Sequence, residues 1–322
     1  MNIKYIVTGG AGFIGSNIVR ALNARGETDI LVVDHLGLGE KWKNLVGLRF
    51  EDYIDKSDFL PLIEKGILKN VAVVYHLGAC SATTEKDAGY LVENNYRFSR
   101  HLCEACLRHG VRFVYASSAA TYGNGELGYS DLDADLLQYR PLNMYGLSKH
   151  MMDLWALKHG HLDRVAGIKY FNVYGPGEAH KADMRSVVHK SYCQIVESGS
   201  VKLFKSCRPE YKDGEQVRDF VYVFDAVDQT LWLGDHPEVS GLFNCGTGTP
   251  RTWLDLVSSV FRAMGLEPNI DFVDLPNHLK GKYQYHTQAD LSKLRSAGYD
   301  KPYKSIEYGV HDYVKNYLMR DS

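Results

Sequence analysis

The apolar positions of the chain fall into two alternating rhythms. Tyr5-Ile6-Val7 is a short continuous run that ends at Thr8-Gly9-Gly10-Ala11-Gly12-Phe13-Ile14-Gly15. Ile14, Ile18, Val19 and Leu22 then recur at helical spacing. The pattern predicts strand, glycine turn and helix. Ile30-Leu31-Val32-Val33 is a second strand and ends at Asp34. Residues 71–77 form a continuous apolar run of the kind buried on both faces of a parallel sheet. A helix is expected from there through Asn94, Asn95 and Phe98 to Cys106. Residues 112–116 make the next strand, a further helix carries Tyr145 and Lys149, and residues 166–174 read as one long strand. Strands alternating with helices over short turns give an α/β chain of the Rossmann type, a doubly wound parallel sheet.

After Gly175-Pro176 the alternation weakens and the composition turns more polar. Residues 218–223 are strand-like, with Asp225 placed to cap the next helix, and residues 242–248 read as a strand and turn. No repeat or low-complexity linker separates two halves, so a smaller α/β substrate domain is expected to grow from C-terminal insertions. The expected division gives a dinucleotide-binding domain residues 1–171 with 221–247 and about 291–308. The substrate domain takes 172–220 with 248–290 and about 309–322.

A 322-residue chain that is 45% hydrophobic can bury a core of this size. The net charge of -2 leaves no electrostatic footprint for nucleic acid or an anionic membrane. No stretch approaches the ~20 apolar residues of a membrane span. The N-terminus enters a strand without a signal-peptide layout, and the reduced cytoplasm is the expected compartment. Cys103 and Cys106 have the spacing of half a metal or redox site, but no second pair follows, and Leu102 and Leu107 place them on a buried helix face. No metal is expected.

The candidate chemistry sits at the strand ends. Gly9 allows a tight turn, Gly12 lets backbone approach a pyrophosphate at the helix N-terminus, and Gly15 lets helix and strand pack closely. Asp34 follows about 20 residues later, where a dinucleotide fold carries its ribose-binding acid. A carboxylate there favours NAD, whereas Lys41 and Lys56 are placed to offset its repulsion of a 2′-phosphate. The residues themselves leave the cofactor phosphate open. Gly78-Ala79-Cys80-Ser81 and Ser117-Ser118 end two further strands, on the sheet edge where ligands bind. Tyr145 and Lys149 lie four apart and share one helix face. A nearby ammonium favours the phenolate, so the pair can take a proton from an alcohol if a hydride acceptor lies beside it. With 22 tyrosines, one such pair is expected by chance, and its meaning rests on what surrounds it.

Thr8-Gly9-x-x-Gly12-x-x-Gly15, Ser118, Tyr145-x-x-x-Lys149 and Phe171-Asn172-Val173-Tyr174-Gly175-Pro176 occur in the order found in the extended short-chain dehydrogenases/reductases, and the chain resembles that superfamily. Residues 78–85, 116–123, His180-Lys181, Lys282-Tyr283-Gln284, 287–290 and 297–299 are similar to one family within it, the ADP-L-glycero-D-manno-heptose 6-epimerases of lipopolysaccharide core synthesis. The resemblance implies epimerisation at C6″ through a transient ketone, because an ordinary carbinol C–H is not acidic enough to be inverted by deprotonation. It implies that Ser118 and Lys149 assist Tyr145, and that Tyr145 and Lys181 serve the two orientations of the sugar. Burial or a neighbouring cation such as Lys149 or Lys190 would have to lower the Lys181 pKa. Gly9, Gly12, Phe13, Ile14, Gly15, Asp34, His35, Lys41, Lys56, Leu77, Gly78, Ala79, Cys80, Ser81, Asn94, Lys149, Val173 and Lys181 match cofactor positions. Asn172, Asp183, Lys190, Phe204, Lys205, Ser206, Cys207, Arg218 and Tyr283 match substrate positions. The family implies NADP over NAD, an ADP-heptose substrate, and a homo-oligomer, expected to be a pentamer. Asp183 and the long stretch 207–217 depart from its pattern. Polar and basic groups at 279–284 suit phosphates. A 4,6-dehydratase would need carboxyls where Ala119 and Ala120 stand; a UDP-hexose 4-epimerase would share Ser118, Tyr145 and Lys149 but have no need of Lys181.

Overall fold

The computed structural model describes residues 2–276 and 283–320, so Leu279, Lys280, Gly281 and Lys282, candidates for phosphate binding, lie outside the described residues. The N-terminal half lays down β1 (Tyr5–Thr8), β2 (Ile30–Asp34), β3 (Asp52–Asp55), β4 (Val73–His76), β5 (Arg112–Ser118) and β6 (Ala166–Tyr170). The run expected as one strand over 166–174 breaks at Phe171. The Phe171 N–H turns to the Cys245 carbonyl, and β7 (Asn172–Tyr174) then pairs elsewhere. β8 (Val201–Phe204), β9 (Val217–Arg218) and β10 (Phe220–Tyr222) follow, β11 (Gly241–Cys245) returns to the main sheet, and β12 (Arg251–Thr252) and β13 (Ile270–Val273) complete the set among the described residues.

The main sheet has seven strands in the order β11-β6-β5-β4-β1-β2-β3, all parallel. Three two-stranded sheets, β10-β7, β12-β9 and β13-β8, are made by the C-terminal half. Strand order reverses between β1 and β4, and a doubly wound sheet opens a crevice at the carboxyl ends of such a pair.

Helices cover both faces. On one, α1 (Phe13–Ala24) buries Ile18, Val19 and Leu22 as its spacing predicts. On the other, α2 (Lys56–Glu64) buries Phe59 and Ile63. α3 (Ala88–Leu91) runs through a π turn at residues 92–97 into α4 (Phe98–His109), which buries Leu102, Cys103 and Cys106 in the same layer. Burial pushes the Cys103 thiol up to about 12. α5 (Met144–Lys158) starts at Asn143, whose side chain accepts the Gly146 N–H at 2.8 Å. α6 (Val187–Ser198), α7 (Val223–Asp235), α8 (Trp253–Met264), α9 (Ser292–Ser296) and α10 (Ile306–Tyr313) belong to the C-terminal half. Asp225 does not cap α7. Tyr222 is the N-cap, one more turn of helix forms ahead of the expected start, and the Asp225 carboxylate instead accepts the Lys304 N–H at 2.6 Å.

Candidate active site

The ends of β1 and β4 meet at the centre of the crevice. Gly9 has φ +66°, and a Cβ there would lie 2.7 Å from the Gly78 amide nitrogen. A Cβ at Gly15 would lie 2.1 Å from the Gly9 carbonyl, so α1 enters directly against the turn. Its N-cap, Gly12, offers no side-chain hydrogen bond, which leaves the first-turn amides for an anion.

Asp34 is buried at the end of β2. One carboxylate oxygen accepts the Ala11 N–H at 2.9 Å, and the other accepts the His35 N–H at 2.7 Å and a bond from the Lys41 ammonium. The acid thus fixes the glycine turn and carries a counter-charge. His35 contacts Asp55 at 2.9 Å, and the Ser57 amide and that imidazole hold the Asp55 carboxyl down at about 2. Lys56 donates to Asn94 at 2.7 Å, and Asn95, also on the π turn, accepts the Cys80 N–H at 2.8 Å. Asp34, His35, Lys41, Lys56, Gly78, Ala79, Cys80 and Asn94 line one cavity of about 150 Å³. It adjoins a cleft of about 470 Å³ whose walls include Gly9, Gly12, Phe13, Ile14, Gly15, Leu77 and Ser81. Together they fit a dinucleotide laid across the strand ends.

The same cleft is lined by Ser118, Tyr145, Lys149, Asn172, Val173 and Lys181. Ser118 closes β5, and its hydroxyl accepts the Ala120 N–H at 3.1 Å. Tyr145 stands in the first turn of α5. Burial pushes its phenol up, and a hydrogen bond with Ser118 opposes the shift. The Lys149 ammonium, buried, donates to the Ala116 carbonyl at 2.8 Å. Burial pulls its pKa down to about 8, with the Asp153 carboxylate working against the fall. Ser118 thus favours the phenolate directly, while the Lys149 ammonium sits one helical turn away on the same face of α5.

Lys181 comes from a different element, a tight turn over Ala179–Met184 kinked at Ala182. Its ammonium lies 5.5 Å from the Phe13 ring centre. Burial lowers its pKa and Glu178 opposes this, so neither Lys149 nor Lys190 is the cause. Lys190 instead donates to the Asp183 carbonyl at 2.6 Å, and neither residue lines the cleft.

The remaining predicted substrate residues gather around an aromatic cluster. The buried Arg218 guanidinium lies 5.5 Å from the Trp253 ring and 5.2 Å from the Tyr283 ring. Phe204 meets Tyr283 edge-on at 6.4 Å. Lys205 pairs with Asp274 at 3.0 Å, the Ser206 N–H bonds Asp213 at 2.8 Å, and the Cys207 N–H bonds the Tyr285 hydroxyl at 2.9 Å. Tyr283 also faces a cavity of about 220 Å³ with Arg208, Tyr211 and Tyr285.

Several site residues escape sequence reasoning. Asn44 donates to the carbonyls of Ala11 at 3.0 Å and Gly177 at 2.9 Å, tying the glycine turn to the Lys181 segment. Asn17 does the same to Pro176 at 2.8 Å. His76 bridges Thr8 and Ser99 at 2.6 and 2.7 Å. Nothing in the spacing of these residues announces contacts that cross most of the domain.

The profile of the NAD dependent epimerase/dehydratase family matches residues 5–246. A curated relative from Nitratidesulfovibrio vulgaris (strain DP4), named ADP-L-glycero-D-manno-heptose-6-epimerase, is 56% identical over 98% of both chains. One of the same name from Fusobacterium nucleatum is 46% identical, again over 98% of both. Among solved structures, the Helicobacter pylori ADP-L-glycero-D-manno-heptose-6-epimerase superposes with a TM-score of 0.82 at 28% identity, covering 98% of this chain and 96% of that one. The Bacillus cereus UDP-glucuronic acid 4-epimerase in complex with UDP-glucuronic acid and NAD gives 0.78 at 26% identity, over 98% and 99%. From the glycine turn to the last helix the chain is matched by such enzymes, and it belongs to the NAD dependent epimerase/dehydratase family, among its ADP-L-glycero-D-manno-heptose-6-epimerases.

Proposed function

We propose that the chain interconverts ADP-D-glycero-D-manno-heptose and ADP-L-glycero-D-manno-heptose by oxidising C6″ to a ketone and reducing it on the opposite face. The observation that carries this reading is that Tyr145 and Lys181, from separate elements, line one cleft. A single base suffices when the hydroxyl proton is lost and regained on one side only. An inversion that presents either face of the ketone calls for a proton donor and acceptor in each orientation.

A nicotinamide dinucleotide held over Gly9–Gly15 would supply the reversible two-electron exchange with C6″. In one orientation the Tyr145 phenolate takes the hydroxyl proton, with Ser118 holding the same oxygen. In the other, Lys181 takes it as a neutral amine, a form that burial favours. Lys149, anchored on Ala116, keeps a positive charge beside the carbonyl and α5. For the cofactor we infer NADP, on the ground that Lys41 covers the Asp34 charge and Lys56 lies in the same cavity. The reading extends to a cytoplasmic homo-oligomer that supplies heptose precursor for lipopolysaccharide.

The test is to incubate the protein separately with ADP-D-glycero-D-manno-heptose and with UDP-glucose and to follow each by NMR. Epimerisation of the heptose alone is expected. Tyr145→Phe should slow it by about 10²–10⁴-fold with cofactor still bound, and Lys181→Met should slow it comparably. Turnover of UDP-glucose that is indifferent to Lys181→Met would replace this reading by a 4-epimerase.

A further inference from the structure

Lys181 reaches the cleft from a segment whose two ends are joined by one buried side chain. Glu178 is 1% exposed and does not line the cleft. Its carboxylate accepts the Ser186 N–H at 2.5 Å and the Ser186 hydroxyl at 2.6 Å, with a longer contact from the Gly175 N–H at 3.4 Å. Burial, with the nearby Glu178 carboxylate, pushes the Tyr313 phenol of α10 up. The Glu178 main-chain carbonyl accepts the Lys181 N–H at 2.9 Å. Gly175 directly follows β7, and Ser186 is the N-cap of α6. Asn17 and Asn44 fasten Pro176 and Gly177 to the glycine turn. Within the segment Asn44 meets His180 at 3.2 Å and Lys190 holds the Asp183 carbonyl, and the carboxylate of Glu178 is the side chain that joins its two ends.

We propose that Glu178 is a positioning residue for Lys181, its carboxylate closing residues 175–186 into a rigid loop that holds the ammonium over Phe13 and in the cleft. The proposal rests on the reading of Lys181 as the second acid/base group. The chemistry demands a carboxylate. The backbone N–H groups of Ser186 and Gly175 can only donate and address different oxygens, and an ionised carboxyl accepts at both. A glutamine of the same shape would turn an NH₂ toward at least one of those donors and leave it buried without a partner. The backbone confirms that the loop is constrained: Ala182, next to Lys181, is held at φ +46° and ψ −122°, a conformation L side chains rarely adopt.

The experiment is a double-mutant cycle read together with amide exchange. Glu178→Gln should lower kcat about tenfold with KM little changed, and should speed amide exchange within residues 179–186. In a Lys181→Met background the same change should cost no further activity, because its effect passes through Lys181. An equal loss in that background would make Glu178 a general brace and overturn the proposal, as would full activity of Glu178→Gln. Ser186→Ala removes only one of the three donors and gives a milder version of the same cycle if the glutamine variant does not fold. Faster exchange in Glu178→Gln, combined with no turnover of ADP-heptose by the wild-type protein, would reject the epimerase reading while leaving the closure of the Lys181 loop by Glu178 intact.

Discussion

The Lys41 ammonium donates to the same Asp34 oxygen that accepts the His35 amide, while the other oxygen holds the Ala11 amide. The acid is therefore committed to the protein on both sides, and its charge is covered. A free carboxylate at this position would grip the 2′-hydroxyl of NAD and repel a 2′-phosphate. A paired one leaves the choice to the surrounding cations.

Lys41→Ala should accordingly shift the protein toward NAD. Loss of one charge-assisted hydrogen bond is worth about 1.5–3 kcal/mol, so the ratio of NAD to NADP dissociation constants should fall by at least about tenfold. Titration of cofactor-free protein with each dinucleotide measures this directly. A ratio that does not move would take Lys41 out of the phosphate site.

Ala182 offers a stability test beside the chemistry. Its φ of +46° is one that glycine adopts without penalty. Relief of such strain is worth about 1–3 kcal/mol, against about 0.5–1 kcal/mol for the extra freedom of glycine in the unfolded chain. Ala182→Gly should thus stabilise the protein by about 1 kcal/mol, seen as a higher urea midpoint with an unchanged slope. Ala182→Val should destabilise it. A less stable glycine variant would mean that the turn stores no strain.

The parallel sheet was readable because its signals are local. Continuous apolar runs mark β1, β2, β4 and β5, and the glycines and Asp34 fall at a fixed separation along one βαβ unit. The misreadings have a common cause. β3, Asp52-Tyr53-Ile54-Asp55, is a half-exposed edge strand with no apolar run, so no strand is expected there. Phe171 has the composition of a strand interior, yet its N–H goes to Cys245 and hands β7 to a second sheet. Asp225 looks like a cap because carboxylates often are, but its partner at Lys304 lies 79 residues away. The site divides in the same way. Tyr145 and Lys149 are visible as a pair within one helix. That Ser118 opposes the upward shift of the phenol, that Lys149 reaches the Ala116 carbonyl, and that Glu178 bridges to Ser186 depend on where other segments come to rest.

His76 should make stability depend on pH. It is buried at the end of β4, with Thr8 at 2.6 Å from one ring nitrogen and Ser99 at 2.7 Å from the other. Burial, with the nearby Lys149 charge, pushes its pKa down to about 3 from the ordinary 6.5. Below pH 6.5 the unfolded chain takes up a proton that the folded protein refuses, so stability present above that pH is lost as pH falls. The slope is about 1.36 kcal/mol per pH unit, or about 2 kcal/mol by pH 5. Asp131 and Asp225, pushed up to about 6 by burial, act in the opposite sense, and His180, pulled down to about 4, in the same one. All three remain in His76→Gln, which removes only the titration of residue 76. Urea unfolding at pH 7 and pH 5 should therefore show the wild-type protein losing about 2 kcal/mol more than His76→Gln between the two. Equal losses would mean that His76 is protonated in the folded protein, and that the bridge from Thr8 to Ser99 is made by an imidazolium.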